Sequence, residues 1–172
     1  MKQYFTILIL MIFGLSFSQS KNVFDVARSG TLDEMKALVS QNPDIINSKN
    51  ERSFTPLILA CYRGNTEVAK YLIDNVKDLN YVSQEGTALS SLCINYNKEL
   101  VEKMLSKNAN PNIQDSFGNT PLLWAVKRNN LELVSILLKN KADINIKDSM
   151  GVSAFEYALK SNNNELINLL KH

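Results

Sequence analysis

"GNTPLLWAVKRNNLELVSILLKNKADIN", residues 118–145, has a near twin 65 residues upstream, "SFTPLILACYRGNTEVAKYLIDNVKDLN", residues 53–80. Set side by side without gaps, the two share Thr, Pro, Leu, Ala, Arg, Asn, Glu, Leu, Asn, Asp and Asn, 11 of 28 positions. That many identities at one fixed offset mark an internal repeat, which constrains the architecture before any single element is considered. Three further copies follow the same outline. "NVFDVARSGTLDEMKALVSQNPDIIN" starts at Asn22, "GTALSSLCINYNKELVEKMLSKNANPN" at Gly86 and "GVSAFEYALKSNNNELINLLKH" at Gly151. The aligned residues Thr55, Thr87, Thr120 and Ser153 lie 32, 33 and 33 positions apart. A period of this length is the mark of stacked helical units.

Each unit reads as two short antiparallel helices. In Thr55-Pro56 and Thr120-Pro121 the hydroxyl caps a free backbone N–H, and the proline has no N–H to leave unpaired. About two turns later stand Gly30, Gly64, Asn129 and Asn162, residue types that accept the left-handed backbone with which a chain leaves a helix. The second helix then opens, as at Thr31-Leu32-Asp33-Glu34, which has the spacing of a capping box. Its apolar residues recur at helical spacing, as in Leu131, Val134, Leu137 and Leu138, or Val68, Tyr71 and Leu72. The passage "KADINIK" suits an extended hairpin loop. One such unit cannot cover both helix faces, so neighbours must stack to close the core.

Composition agrees with a packed domain. The chain has 172 residues, 45% of them hydrophobic and 21% charged, which is globular rather than disordered. A formal net charge of +2 is too small to point to nucleic acid or a membrane surface. The first twenty residues, "MKQYFTILILMIFGLSFSQS", differ from the rest. Lys2, an apolar run from Tyr4 to about Phe17, and small polar residues follow the outline of a secretory signal peptide. Cleavage is expected before Gln19 or before Lys21. The apolar run is shorter than the roughly 18–20 residues that span a bilayer. Removing residues 1–20 takes away Lys2 and no acid, leaving 18 Lys and Arg against 17 Asp and Glu. The expectation is a periplasmic or secreted, nearly neutral monomer.

The repeated residues resemble the ankyrin repeat, whose pattern is a T-P-L-H-x-A start, a Gly turn, a V-x-x-L-L second helix and a G-A-D-x-N tail. One copy carries Thr55-Pro56-Leu57, Ala60, Gly64, Val68, Leu72 and Asp78-Leu79-Asn80. Another carries Gly118-Asn119-Thr120-Pro121-Leu122, Ala125, Val134, Leu137-Leu138 and Ala142-Asp143-Ile144-Asn145. The resemblance covers residues 22–172. It implies an all-α ankyrin-repeat solenoid of about five stacked helix–turn–helix units, near 22–50, 53–82, 86–114, 118–147 and 151–172. The first and last units are expected to act as caps, with Asn162, Asn163, Asn164, Asn168 and Lys171 giving the end of the stack a wet face. Departures from the pattern mark places to watch. Ile58, Ser90, Leu123 and Glu156 stand where the pattern has His, so the links that His makes between loops must be weaker or replaced. The unit from Gly86 is one residue short before its Thr and puts Tyr96 at the turn. Val76 stands near another expected Gly and resists positive φ, so that loop must take another path.

Reactive chemistry is thin. The sole His is His172, the last residue, better read as a frayed end than as a base. No two glycines form a phosphate-binding loop, and HExxH, GxSxG and CxxC are absent. Asp78 and Asp143 belong to the hairpins, and the other acids read as solvated helix faces or turns. Cys61 and Cys93 hold the same place in neighbouring units, each six residues after its Thr. Stacked helices lie about 8–10 Å apart, whereas a disulfide needs Cα atoms within about 7 Å. Two buried, reduced thiols are therefore expected. Two Cys and one terminal His cannot complete a zinc site, and no catalytic residue, cofactor or metal is expected. Trp124 aligns with Leu59 and Tyr157, on a face expected to pack between units.

What remains is surface. By the family resemblance, a protein partner binds the concave face made by hairpin tips and the ends of the first helices. By position, the tips supply Glu51, Arg52, Phe54, Ser116, Phe117 and Asn119. The helices supply Tyr62, Arg63, Ile94, Asn95, Lys127, Arg128 and Lys160. Aromatics beside Arg are the usual anchors of protein interfaces. The expected function is non-enzymatic protein binding by an exported module, with an acidic partner surface suggested by Arg52, Arg63, Lys127, Arg128 and Lys160. Alternatives are a periplasmic inhibitor or immunity-type protein and, further off, a small enzyme on a repeat scaffold. The latter would need paired acids or a base in a pocket.

Overall fold

The structure, a computed structural model, describes residues 21–171. The expected signal peptide and His172 lie outside the described residues. Ten α-helices form five antiparallel pairs: α1 (Val23–Ser29) with α2 (Leu32–Gln41), α3 (Pro56–Arg63) with α4 (Thr66–Asn75), α5 (Ala88–Ile94) with α6 (Lys98–Ser106), α7 (Pro121–Lys127) with α8 (Leu131–Lys139), and α9 (Ala154–Ser161) with α10 (Asn164–Leu169). The odd-numbered helices stack in chain order as an inner layer, and their partners form the outer one. Among the described residues the only strand-like pairings are isolated bridges at Ser83–Gly86 and Lys147–Ser153. The fold is an all-α repeat solenoid.

Helix starts follow the caps. The hydroxyls of Thr55, Thr87, Thr120 and Ser153 accept from the amides of Ile58, Ser90, Leu123 and Glu156. Thr31 and Glu34 form the capping box, with Thr31 N donating to Glu34 at 2.7 Å and Glu34 N to Thr31 at 3.2 Å. A second box joins Ser153 and Glu156. Glu156, at a position where the pattern has His, is thus engaged in starting its own helix.

Turns divide by residue type. Gly64, Asn129 and Asn162 adopt left-handed φ of 72°, 55° and 54°. Gly30 does not: its φ is −83°, in extended backbone. Its role is close approach, since a Cβ there would sit 2.6 Å from Val26 Cα. Tyr96 makes no left-handed turn either: α5 ends at Ile94 and its cap, Asn95, has φ −109°. Val76 exits α4 in extended backbone at φ −72°, whereas Lys141 and Asn108 turn left-handed after their outer helices. A β-branched side chain makes that turn costly.

Lateral links recur with the period. Lys77 N donates to Asn47, Asn110 N to Asn80, and Asp143 N to Asn112, at 2.8–2.9 Å. The Asn65 amide donates to the carbonyls of Val26, Ala27 and Gly30, tying the end of α3 to the end of α1. Asn95 does the same one unit on, donating to the Tyr62 carbonyl. Hairpin tips are stitched by Ser116 N to Gln84 O and Ser149 N to Phe117 O. These bonds join neighbouring units without any His.

Between the layers lies one core running the length of the stack, with Leu72, Leu89, Leu92, Leu100, Met104, Leu122, Leu133 and Leu137 fully buried. Cys61 and Cys93 are buried free thiols within it. Burial pushes the Cys61 thiol up to about 12 and raises Cys93 as well, because a thiolate loses its hydration there. Alkylation with iodoacetamide at pH 8 is therefore expected to leave both unmodified in native protein and to label both in denaturant, as read by intact mass. Labelling of native protein at the rate of a free thiol would contradict this packing. At the end of the stack Asn162, Asn164, Asn168 and Lys171 are exposed.

Candidate partner-binding face

The inner helices and tips of the first three units enclose an open groove of about 840 Å³. Because Asn65 and Asn95 hold the C-terminal ends of α1, α3 and α5 together, the last-turn residues Arg28, Tyr62, Arg63 and Ile94 gather at one end. The hairpin before α3 brings Lys49, Glu51, Arg52 and Phe54 to the other, where Glu85 joins from the next tip. Ile58 and Leu59 on α3 and Phe24 on α1 complete the apolar part. The volume falls within the roughly 300–1,000 Å³ of ligand-holding clefts.

Of the residues expected on the binding face, Glu51, Arg52, Phe54, Tyr62, Arg63 and Ile94 line this groove together. Tyr62 is exposed, and the Arg63 guanidinium lies 5.9 Å from its ring centre, within cation–π range. Lys49 stands 4.3 Å over the Tyr81 ring. Phe24, Arg28 and Lys49 were not legible as lining residues, since each belongs to a segment whose inward side is set only by stacking. Asn95 sits at the groove end, but its amide is committed to Tyr62 O.

The remaining candidates lie elsewhere. Phe117 is 64% exposed at a hairpin tip, and Met150, at the same place in the next unit, is 71% exposed. Neither lines the groove, so Phe117 stands apart from Tyr62 and Phe54. Arg128 and Lys160 are exposed, with Lys160 5.5 Å from the Tyr157 ring centre.

Asn119 and Lys127 are both engaged within the chain. Asn119 is only 4% exposed: its side chain bonds Asp115 and accepts from Lys127 Nζ at 2.5 Å. Lys127 also donates to Asp148 at 2.9 Å and lies 4.4 Å over the Tyr157 ring. Asn119 is therefore closed off at the tip where the sequence placed it, whereas Lys127, on α7, stays exposed with its ammonium held by Asn119 and Asp148. Asp115 and Asp148 are likewise not solvated turn acids but buried carboxylates. Asp115 accepts from Phe117 N, Asn119 N and Trp124 Nε1 at 2.8–3.0 Å. Asp148 accepts from Met150 N, Val152 N, Lys127 Nζ and Tyr157 OH at 2.6–3.1 Å. Burial alone would raise the Asp148 carboxyl, but the donors of Tyr157, Lys127, Val152 and Met150 more than offset it and hold it well below the usual range. Trp124, half-buried, packs against the core as its alignment with Leu59 and Tyr157 suggested, and its indole N–H ties it to the hairpin. A signal for this network existed. Asp115 and Asp148 each stand five residues before a capping Thr or Ser and nine before Trp124 or Tyr157.

Among the described residues no group of three or more His, Cys, Asp or Glu is placed to hold a metal, and no helix is long and apolar enough to cross a membrane. The comparisons agree with the repeat geometry. The family model for ankyrin repeats (3 copies) matches residues 23–115 and 89–172. An ankyrin repeat protein of Acanthamoeba polyphaga mimivirus is 52% identical over 54 residues, 30% of this chain and 13% of that one. Protein fem-1 homolog A-like of Mus musculus is 33% identical over 89 residues, 51% of this chain and 14% of that one. Protein phosphatase 1 regulatory subunit 27 of Homo sapiens is 38% identical over 74 residues, 43% of this chain and 47% of that one. The matched segment spans less than half the length of each of these relatives. With the family model spanning nearly all the described residues, the chain belongs to the ankyrin-repeat family.

Proposed function

We propose that this chain is an exported, monomeric, non-enzymatic binder that holds a partner protein in the concave groove of its first three units. The observation that carries the reading is the convergence of Arg52, Phe54, Tyr62, Arg63 and Ile94, from two inner helices and a hairpin, on one open cleft. Aromatic and Arg side chains around a partly apolar floor are the composition of interface hot spots. The stack is ordered by its own core before any partner arrives, so binding loses little further chain entropy. Export rests on the pattern of residues 1–20.

Affinity capture from the envelope and extracellular fractions of the native cells tests both parts. Wild-type bait and a Lys139→Ala control on the outer layer are expected to recover the same partner. A Tyr62→Ala/Ile94→Ala bait should recover at least tenfold less, and the recovered bait should begin at Gln19 or Lys21. Equal recovery by the groove variant would remove the assignment of the face. A bait still starting at Met1 would remove export.

A further inference from the structure

The charges around the groove are unevenly placed, and this unevenness names an occupant. At the hairpin end Lys49 and Arg52 face Glu51 and Glu85, two charges of each sign. At the opposite end the lining holds Arg28 and Arg63 and no acid. Arg63 has no carboxylate partner among the described residues. Arg28 pairs at 2.9 Å with Asp25, three residues before it, and both side chains are about a third or more exposed. Such a surface pair is weak and readily exchanged. The inner helices end here, and each end brings about half a negative charge. Three such ends stay below two full guanidinium charges, and the Asn65 and Asn95 amides already occupy carbonyls of the first two. The apolar stretch runs from Phe54 at the hairpin end over Phe24 and Leu59 to Tyr62 and Ile94 beside the two Arg.

We infer that the groove takes a short acidic peptide segment with an aromatic or aliphatic anchor, its carboxylates between Arg28 and Arg63 and its anchor on the apolar stretch. This rests on the concave face being the partner site and adds the chemistry of what enters it. The volume suits a length of chain rather than the flat face of a folded domain. Guanidinium forks bind carboxylates in bidentate fashion. A nucleic-acid strand fits less well, because Glu51 and Glu85 would meet its phosphates.

The test uses fluorescence anisotropy with a short fluorescein-labelled peptide carrying a central Phe-Leu pair flanked by Asp and Glu. The same peptide with Lys in place of the acids, and a labelled oligothymidylate, serve as comparison probes. Wild-type protein is expected to prefer the acidic probe over the Lys probe by tenfold or more, with affinity falling as salt rises. Arg28→Glu/Arg63→Glu should lose the acidic probe by at least tenfold and gain the Lys probe, while Lys147→Glu on a distant hairpin changes neither. Gain of the Lys probe also shows that the reversed variant is folded. No binding of the acidic probe at millimolar concentration, equal affinity for the two peptides, or tighter binding of the oligonucleotide overturns the inference. If the captured native partner depends on Tyr62 and Ile94 but is indifferent to charge reversal, the inference falls and the assignment of the face stands.

Discussion

Leu92→Ala is expected to lower stability by about 3 kcal/mol, within the range of buried Leu truncations. Leu92 is fully buried in α5, the middle inner helix, packed between α3 and α7. A repeat stack is held by its intrinsic units plus nearest-neighbour interfaces. A cavity at the centre weakens two interfaces at once, and little can slide in to fill it between rigid neighbours. At roughly 2–4 °C per kcal/mol for a chain of this size, the midpoint should fall by roughly 6–12 °C. The same truncation of Leu166, also fully buried but in the terminal α10, should act differently. It weakens an interface with one neighbour only, so hydrogen exchange should rise in α9 and α10 while protection in α3 to α6 is kept. Equal loss of protection along the whole stack would show the five units to be more tightly coupled than nearest-neighbour packing implies.

Asp148→Ala should cost about 2–3 kcal/mol. The residue is only 6% exposed, and its carboxylate gathers two backbone amides, Lys127 and Tyr157. Removing one member of a buried pair typically costs about 3–5 kcal/mol because the other charge is stranded. The lower figure applies because the Lys127 side chain keeps 23% exposure and its bond to Asn119. The pH dependence has a defined sign. Asp148 is depressed in the folded state, so the unfolded chain binds the proton more readily. Its contribution is full above about pH 5 and drains away as pH falls below the ordinary carboxylate value of about 3.9. Urea melts of wild type and variant should therefore differ most at neutral pH and converge on acidification. A gap that stayed constant down to pH 3 would mean that the side chain acts by packing alone.

The candidate groove and the network around Asp148 were legible to different degrees. The concave face followed from the family pattern, and Arg52, Phe54, Tyr62, Arg63 and Ile94 do converge there. Asn119 and Lys127 sit at the repeat positions of Phe54 and Tyr62, yet Asp115 holds the Asn119 amide and Asp148 the Lys127 ammonium. Position in a repeat specifies which way a backbone turns, but a long polar side chain goes to the strongest partner within reach. Asp115 is four residues from Asn119 on the same hairpin, whereas Asp148, 21 residues from Lys127, comes from the next one. Gly30 fails for a related reason: at a turn, glycine answers either to φ or to crowding, and only the nearness of Val26 shows which.

The amino-acid sequence by itself determined the 32–33-residue period, the helix starts at Thr and Ser caps, the left-handed exits at Gly64, Asn129 and Asn162, and hence a stack of helix pairs in chain order. All of these are set by bonds and steric limits within a few residues of one another, or by simple repetition. Only the tertiary structure decided which charges remain open to a partner, that Phe24, Arg28 and Lys49 join the groove, and that two acids are buried. Those outcomes depend on distances between units, where a displacement of a few ångströms separates a hydrogen bond from a free charge.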